Sequence, residues 1–146
     1  MTPPLIAPPA TLALLGGGQL GRFFVHAAHE LGYKVIVLDP DTDAPAGKIA
    51  DGHIVANYDD PTALTQLSQQ CAAATTEFEN VPSAVLEQLA QTMPVSPSAD
   101  AVSIAQDRIR EKTFLRDNGF NTARFIPLEN ESDLDDASNE PIPGSA

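Results

Sequence analysis

The sequence predicts an α/β domain built on a doubly wound parallel sheet with helices on both faces. Two observations predict it. Short apolar runs alternate with stretches of helical periodicity from residue 11 to residue 105, and the runs are continuously apolar rather than alternating. That pattern belongs to strands buried on both faces, as in parallel sheets covered by helices. In addition, the first run stops at a glycine-rich turn, Gly16-Gly17-Gly18-Gln19-Leu20-Gly21, which opens directly into a helical stretch. Right-handed crossovers then favour double winding, with strand order 3-2-1-4.

Each element has its own signal. Residues 1–10 are proline-rich and read as a mobile tail; they lack the basic start and continuous apolar stretch of a secretory signal. Residues 11–15 (TLALL) form a buried strand. Residues 19–31 carry Leu20, Phe23, Phe24, Ala27, Ala28 and Leu31 at helical spacing, and Gly32 stands where a C-cap belongs. Residues 34–38 (KVIVL) are a second strand closed by Asp39-Pro40, and a loop leads to a third strand at 53–56. Asp60-Pro61 pairs an N-cap with a first-turn proline, so residues 62–71 continue as a helix. A fourth strand at 72–78, a helix at 82–91, a fifth strand at 93–96 and a helix at 98–105 capped by Ser98 complete the body. From residue 106 the pattern changes to a basic amphipathic helix ending at Asn118-Gly119, then a strand at 122–128 and a short helix at 132–139. These pieces have no partner sheet within the sequence. The predicted organisation is therefore a tail (1–10), an α/β domain (11–105), and a linker helix with the incomplete start of a second domain (106–146).

Composition narrows the function classes. With 146 residues and 42% hydrophobic content, a chain of this size buries roughly 70% of its unfolded surface and needs no staples. No run of 18 apolar residues exists, so no membrane span is expected. A single cysteine, Cys71, and three scattered histidines exclude a disulfide framework and a Cys/His zinc cluster, and fit a cytoplasmic protein. Eight basic against twenty acidic residues give a net charge of −12, a poor balance for nucleic acid. Five of the basic residues (Arg108, Arg110, Lys112, Arg116, Arg124) fall in one segment, and from Glu129 on there are six acidic residues and no basic ones. The sequence thus has three electrostatic parts: an acidic body, a basic segment and an acidic tail.

Three motifs carry chemistry. The turn at 16–21 matches G-x-G-x-x-G between a strand and a helix, where glycines allow close backbone approach and the helix start offers N–H groups to an anion. Asp39 ends the second strand at the distance of a dinucleotide ribose ligand. A nicotinamide or flavin site, another phosphate site, and a turn needing glycine for packing alone all remain open on these residues. The second motif is Glu77-Phe78-Glu79-Asn80 at the end of the fourth strand. With strands one and four adjacent at the switch point, Gln19-Leu20 and the segment Glu77 to Asn80 are expected to line one crevice. Carboxylates there repel phosphate, so Glu77 is expected to meet a neutral or amine part of a ligand; a solvated turn is the plainer alternative. The third is Asp107-Arg108 with Lys112, a phosphate contact or a salt-bridged solvent face. His26 and His29, spaced i, i+3, lack an evident third metal ligand, and Cys71 reads as a small buried hydrophobe.

Taken together, GGGQLGR (16–22), AHELGYKVIVLDPD (28–41), DAPAG (43–47), ADGHIVANYDDP (50–61), TEFENVP (76–82) and IAQDRIREKTFLRDNG (104–119) resemble the N-terminal part of the 5-(carboxyamino)imidazole ribonucleotide synthetases, a family of ATP-grasp ligases. The resemblance implies a Rossmann-like pre-ATP-grasp domain followed by the truncated start of an ATP-grasp domain. It implies an ATP-dependent carbon–nitrogen ligase of purine biosynthesis that carboxylates aminoimidazole ribonucleotide with bicarbonate. The ligands implied are the ribonucleotide, bicarbonate, ATP and Mg²⁺, and the family often forms homodimers. It further implies that Gly18, Gln19, Leu20, Glu77 and Glu79 contact the ribonucleotide and that Arg108 reaches the ATP phosphates. No catalytic or metal-binding residue is expected within these 146 residues, which are expected to be inactive alone. The alternative class is a nicotinamide-dinucleotide domain of an oxidoreductase, with Asp39 on the ribose.

Overall fold

In the computed structural model, which describes residues 5–123 and 125–128, β1 (Thr11–Leu15), β2 (Lys34–Leu38), β3 (Gly52–Ile54) and β4 (Ala73–Thr76) form one parallel sheet. The order is β3-β2-β1-β4, as expected for double winding. The chain first winds outward from β1 to β3, then returns to place β4 on the other side of β1. The switch point therefore lies between the carboxyl ends of β1 and β4. Two compact units divide after Gln106.

The first unit carries α1 (Gln19–Glu30), α2 (Pro61–Gln70), α3 (Ser83–Ala90) and α4 (Ala99–Gln106). Strand alternation sends neighbouring side chains to opposite faces. Leu14 joins Val25, Ala28, Val35 and Val37 in one cluster, beside α1. Ala13 and Leu15 join Leu64, Leu67, Leu86 and Leu89 in the other, beneath α2 and α3. Both faces of the sheet are thus covered, which explains why its strands read as unbroken apolar runs. Asp60 caps α2 by accepting the Ala63 N–H at 2.8 Å, with Pro61 in the first turn. The C-cap of α1 is Leu31, and Gly32 follows it at φ +84°, a left-handed setting that suits glycine. Cys71 is half-buried, packs on the larger cluster, and burial pushes its thiol up to about 11.

Three expectations are corrected. The fifth strand is a single parallel bridge between Val95 and Ala74. Pro94 and Pro97 flank it, and proline has no N–H to extend a ladder. The fourth strand stops at Thr76, whose hydroxyl donates to the carbonyls of Phe78 (2.9 Å) and Leu15 (3.2 Å), turning the chain before residue 78. Residues 122, 123 and 125–128 form no strand. In the second unit α5 (Arg108–Asp117) is capped by Asp107, which accepts from Ile109 N–H (2.9 Å) and Arg110 N–H (3.0 Å). Its Lys112 ammonium donates to the Thr122 hydroxyl and the Ala123 carbonyl. Lys112 and Arg116 also sit over the Phe125 ring, at 5.4 and 5.6 Å. The segment after α5 is held by these side chains instead of a ladder. The helix expected at 132–139 lies outside the described residues.

Asp51 ties α1 to the sheet. One of its oxygens accepts the Val35 N–H at 2.8 Å and lies 2.9 Å from His29 Nε2. The Val35 N–H, and after it His29, hold the Asp51 carboxyl below the ordinary 3.8. A depressed folded-state value means that this contribution to stability is present above 3.8 and is lost as the pH falls through the folded value. Asp51→Asn is expected to flatten the acid limb of stability against pH. Urea unfolding midpoints measured from neutral pH into the acid range check this.

Candidate functional site

The carboxyl ends of β1, β2 and β4 converge on the glycine turn. Gly16 leaves β1 at φ +101°, a setting that strains any residue with a side chain, and its N–H donates to Leu38 O at 3.0 Å. Two carboxylates from the flanking strands then pin the turn. Asp39, just after β2, accepts the Gly17 N–H at 2.7 Å, and Glu77, just after β4, accepts the Gly21 N–H at 2.8 Å. Glu77 is itself tethered by its N–H to Leu15 O at 3.0 Å. A Cβ on Gly18 or on Gly21 would stand 2.3 Å from a Glu77 carboxylate oxygen. Glycine at both positions is what lets Glu77 descend onto the helix start.

This arrangement changes the electrostatics of the turn. The N-cap of α1, Gly18, makes no side-chain cap bond, and Glu77 supplies the anion that the free N–H groups attract. A dinucleotide pyrophosphate approaching there meets a carboxylate already in place. Asp39 is also committed: besides Gly17 it accepts the Asp41 N–H at 2.8 Å and the Tyr58 hydroxyl at 3.0 Å. Both features weigh against the nicotinamide alternative. Burial, and after it the Asp39 carboxylate, raise the Tyr58 hydroxyl above its ordinary 10.0, so it stays a donor near neutral pH. The Tyr58 and Phe78 rings meet edge-on, with centroids 5.9 Å apart.

Of the residues singled out from sequence, Gly18, Gln19, Leu20 and Glu77 come together here, with Gln19 and Leu20 exposed at the helix start. Glu79 is exposed, and its carbonyl accepts from Gln106 Nε2 at 2.5 Å. Arg108 belongs to the second unit, where it is exposed and pairs with Glu111. His29 pairs with Asp51, and His53 Nε2 lies 3.3 Å from Asp39 O. Tyr58 is the residue that sequence reasoning passed over, although it lies within the ANYDDP stretch. Among the described residues no group of three His, Cys, Asp or Glu is placed to hold a metal ion. A separate cleft of about 430 Å³ opens at the amino ends of the strands, lined by Thr11, Lys34, Asp51, Gln66 and Gln70 among others. It lies away from the switch point.

Fold and site together define a Rossmann-like α/β domain whose glycine turn is held by its own carboxylates. Within that class, the chain belongs to the ribonucleotide synthetase preATP-grasp domain family, whose model matches residues 10–106. It is 43% identical over 129 residues to the N5-carboxyaminoimidazole ribonucleotide synthase of Brucella melitensis, covering 88% of this chain and 36% of the relative. The structure of the Staphylococcus aureus N5-carboxyaminoimidazole synthetase complexed with ADP is similar at a TM-score of 0.83 and 39% identity, over 90% of this chain and 36% of that one. The Aspergillus clavatus N5-carboxyaminoimidazole synthase, solved with ADP and 5-aminoimidazole ribonucleotide, is similar at a TM-score of 0.74 and 33% identity, over 87% and 35% of the two chains. The chain thus spans about a third of the length of the relatives it matches.

Proposed function

We propose that this chain supplies the ribonucleotide-binding part of an N5-carboxyaminoimidazole ribonucleotide synthase. That enzyme would join bicarbonate to the amine of aminoimidazole ribonucleotide at the expense of ATP. The observation that carries the reading is the Glu77 carboxylate seated on Gly21 at the switch-point crevice, beside exposed Gln19 and Leu20. One Glu77 oxygen is occupied by the Gly21 N–H. The carboxylate excludes a phosphate at the helix start but accepts a hydroxyl or amine donor, which suits the ribose or aminoimidazole portion of the ligand. Gly18 leaves room for the Glu77 carboxylate beside the ligand, and Glu79 marks the outer rim.

Arg108 is the cation we assign to the ATP phosphates, where its forked donors match phosphate oxygens. Its pairing with Glu111 would be exchanged for that contact. Magnesium we assign to the complete enzyme, where one or two carboxylates and the ATP phosphates would hold it. Ribonucleotide binding without ligation is expected of this chain alone, which spans about a third of the length of its relatives. The domain limits proposed are 11–105 for the ribonucleotide-binding body and 106–146 for the linker and the start of the nucleotide-binding domain. No helix among the described residues is long and apolar enough to cross a membrane; we place the protein in the cytoplasm, with homodimerisation a property of the complete enzyme.

Calorimetric titration with aminoimidazole ribonucleotide, with NADH in parallel, tests the reading. Saturable ribonucleotide binding and no NADH binding are expected. Saturable NADH binding that is lost in Asp39→Ala would contradict it.

A further inference from the structure

Tyr58 has no role in the ribonucleotide reading, yet it touches both sides of the crevice. Its hydroxyl donates to Asp39 Oδ2, the oxygen that also receives the Gly17 N–H. Its ring meets Phe78, the neighbour of Glu77, with an interplanar angle of 63°. The Phe78 ring in turn packs on the turn itself, where a Cβ on Gly16 would come within 2.9 Å of it. One side chain therefore links the carboxyl end of β2 to that of β4 across the end of β1.

We propose that Tyr58, acting through Asp39, is a positioning residue for the crevice: it sets the backbone of the glycine turn that presents Gln19 and Leu20 to the ligand. An aspartate after a strand end has several rotamers open to it. Three donors select one: the Gly17 N–H and the Tyr58 hydroxyl on Oδ2, and the Asp41 N–H on Oδ1. Gly17 is held on both sides of its Cα, because its carbonyl, in the following peptide group, accepts the Ala46 N–H at 2.8 Å. Gly17 is buried, so water is poorly placed to replace a lost partner. A shift of this peptide moves the helix start two residues later, and ligand contacts are sensitive to displacements of that kind. The identity of the ligand rests on the reading proposed above; the geometry of the brace does not.

The test is Tyr58→Phe in the isotope-labelled chain, read by amide NMR and by ribonucleotide titration. The variant keeps the ring against Phe78 and removes only the hydroxyl. The Gly17 amide proton is expected to move upfield and to exchange about tenfold faster as its carboxylate partner loosens. The Gly21 amide, bonded to Glu77, and the amides of β1 and β2 are expected to stay in place, whereas a general loss of stability would speed them all. Ribonucleotide affinity is expected to fall about five- to tenfold. Tyr58→Ala, which also removes the ring, should extend the disturbance to the Glu77 and Phe78 amides. An unchanged Gly17 signal in Tyr58→Phe overturns the proposal. So does a moved signal with unaltered ribonucleotide affinity, which would leave Tyr58 a brace of the fold alone. If the unaltered chain does not bind the ribonucleotide, the ribonucleotide reading fails instead, and the Gly17 amide alone decides the brace.

Discussion

Gly21→Ala is expected to destabilise the domain by about 2–3 kcal/mol and to abolish ribonucleotide binding. The added Cβ would stand 2.3 Å from Glu77 Oε2, 2.9 Å from the Gly16 carbonyl oxygen and 3.1 Å from Leu14 Cδ2. The carboxylate can swing aside, but only by giving up the Gly21 N–H. The Gly16 oxygen belongs to a backbone held at φ +101°, and Leu14 lies in the core at 1% exposure, so neither yields easily. Alanine improves helix propensity by at most about 1 kcal/mol, which does not offset this loss. A fall in the urea midpoint at unchanged slope, together with a silent calorimetric titration, would bear this out. Wild-type stability and binding in Gly21→Ala would mean that Glu77 does not sit on the helix start.

Glu77→Ala is expected to separate binding from folding. The side chain is half-buried, so water can partly replace the carboxylate on the Gly21 N–H. The stability cost is then about 1 kcal/mol, at the low end for an abandoned donor. Ligand binding loses a charged acceptor, and the expected drop in ribonucleotide affinity is about 100-fold. Glu77→Gln discriminates between the two roles. Its amide oxygen can still accept from Gly21, so stability should stay near that of the unaltered chain, while affinity falls with the charge. Parallel thermal unfolding and calorimetry on the two variants check both halves. Equal affinity in all three proteins would remove Glu77 from the ligand.

Much of this architecture was legible because it rests on local rules. The glycine turn between TLALL and a helical period announced β1 and α1, and Asp60-Pro61 announced α2. Adjacency of β1 and β4 follows from handedness, and it brings Glu77 to Gln19 and Leu20 from the sequence alone. What was not legible depends on which way a side chain turns once its neighbours are in place. Nothing local says that Glu77 points inward onto Gly21, 56 residues earlier, instead of out to a ligand alone. Nothing local gives Tyr58 to Asp39, 19 residues before it. That contact turns an apparent ribose ligand into a clamp for the turn. The fifth strand failed for a different reason: its apolar character was real, but the prolines around Val95 leave a bridge where a ladder was expected.

An amide NMR titration of the isotope-labelled chain with aminoimidazole ribonucleotide would locate the ligand most directly. Saturable shifts confined to residues 17–22 and 76–79, around Gln19, Leu20 and Glu77, are predicted. Shifts gathered at Lys34, Gln66 and Gln70 at the opposite end of the sheet, or none at ligand excess, would contradict the placement of the ribonucleotide at the switch point.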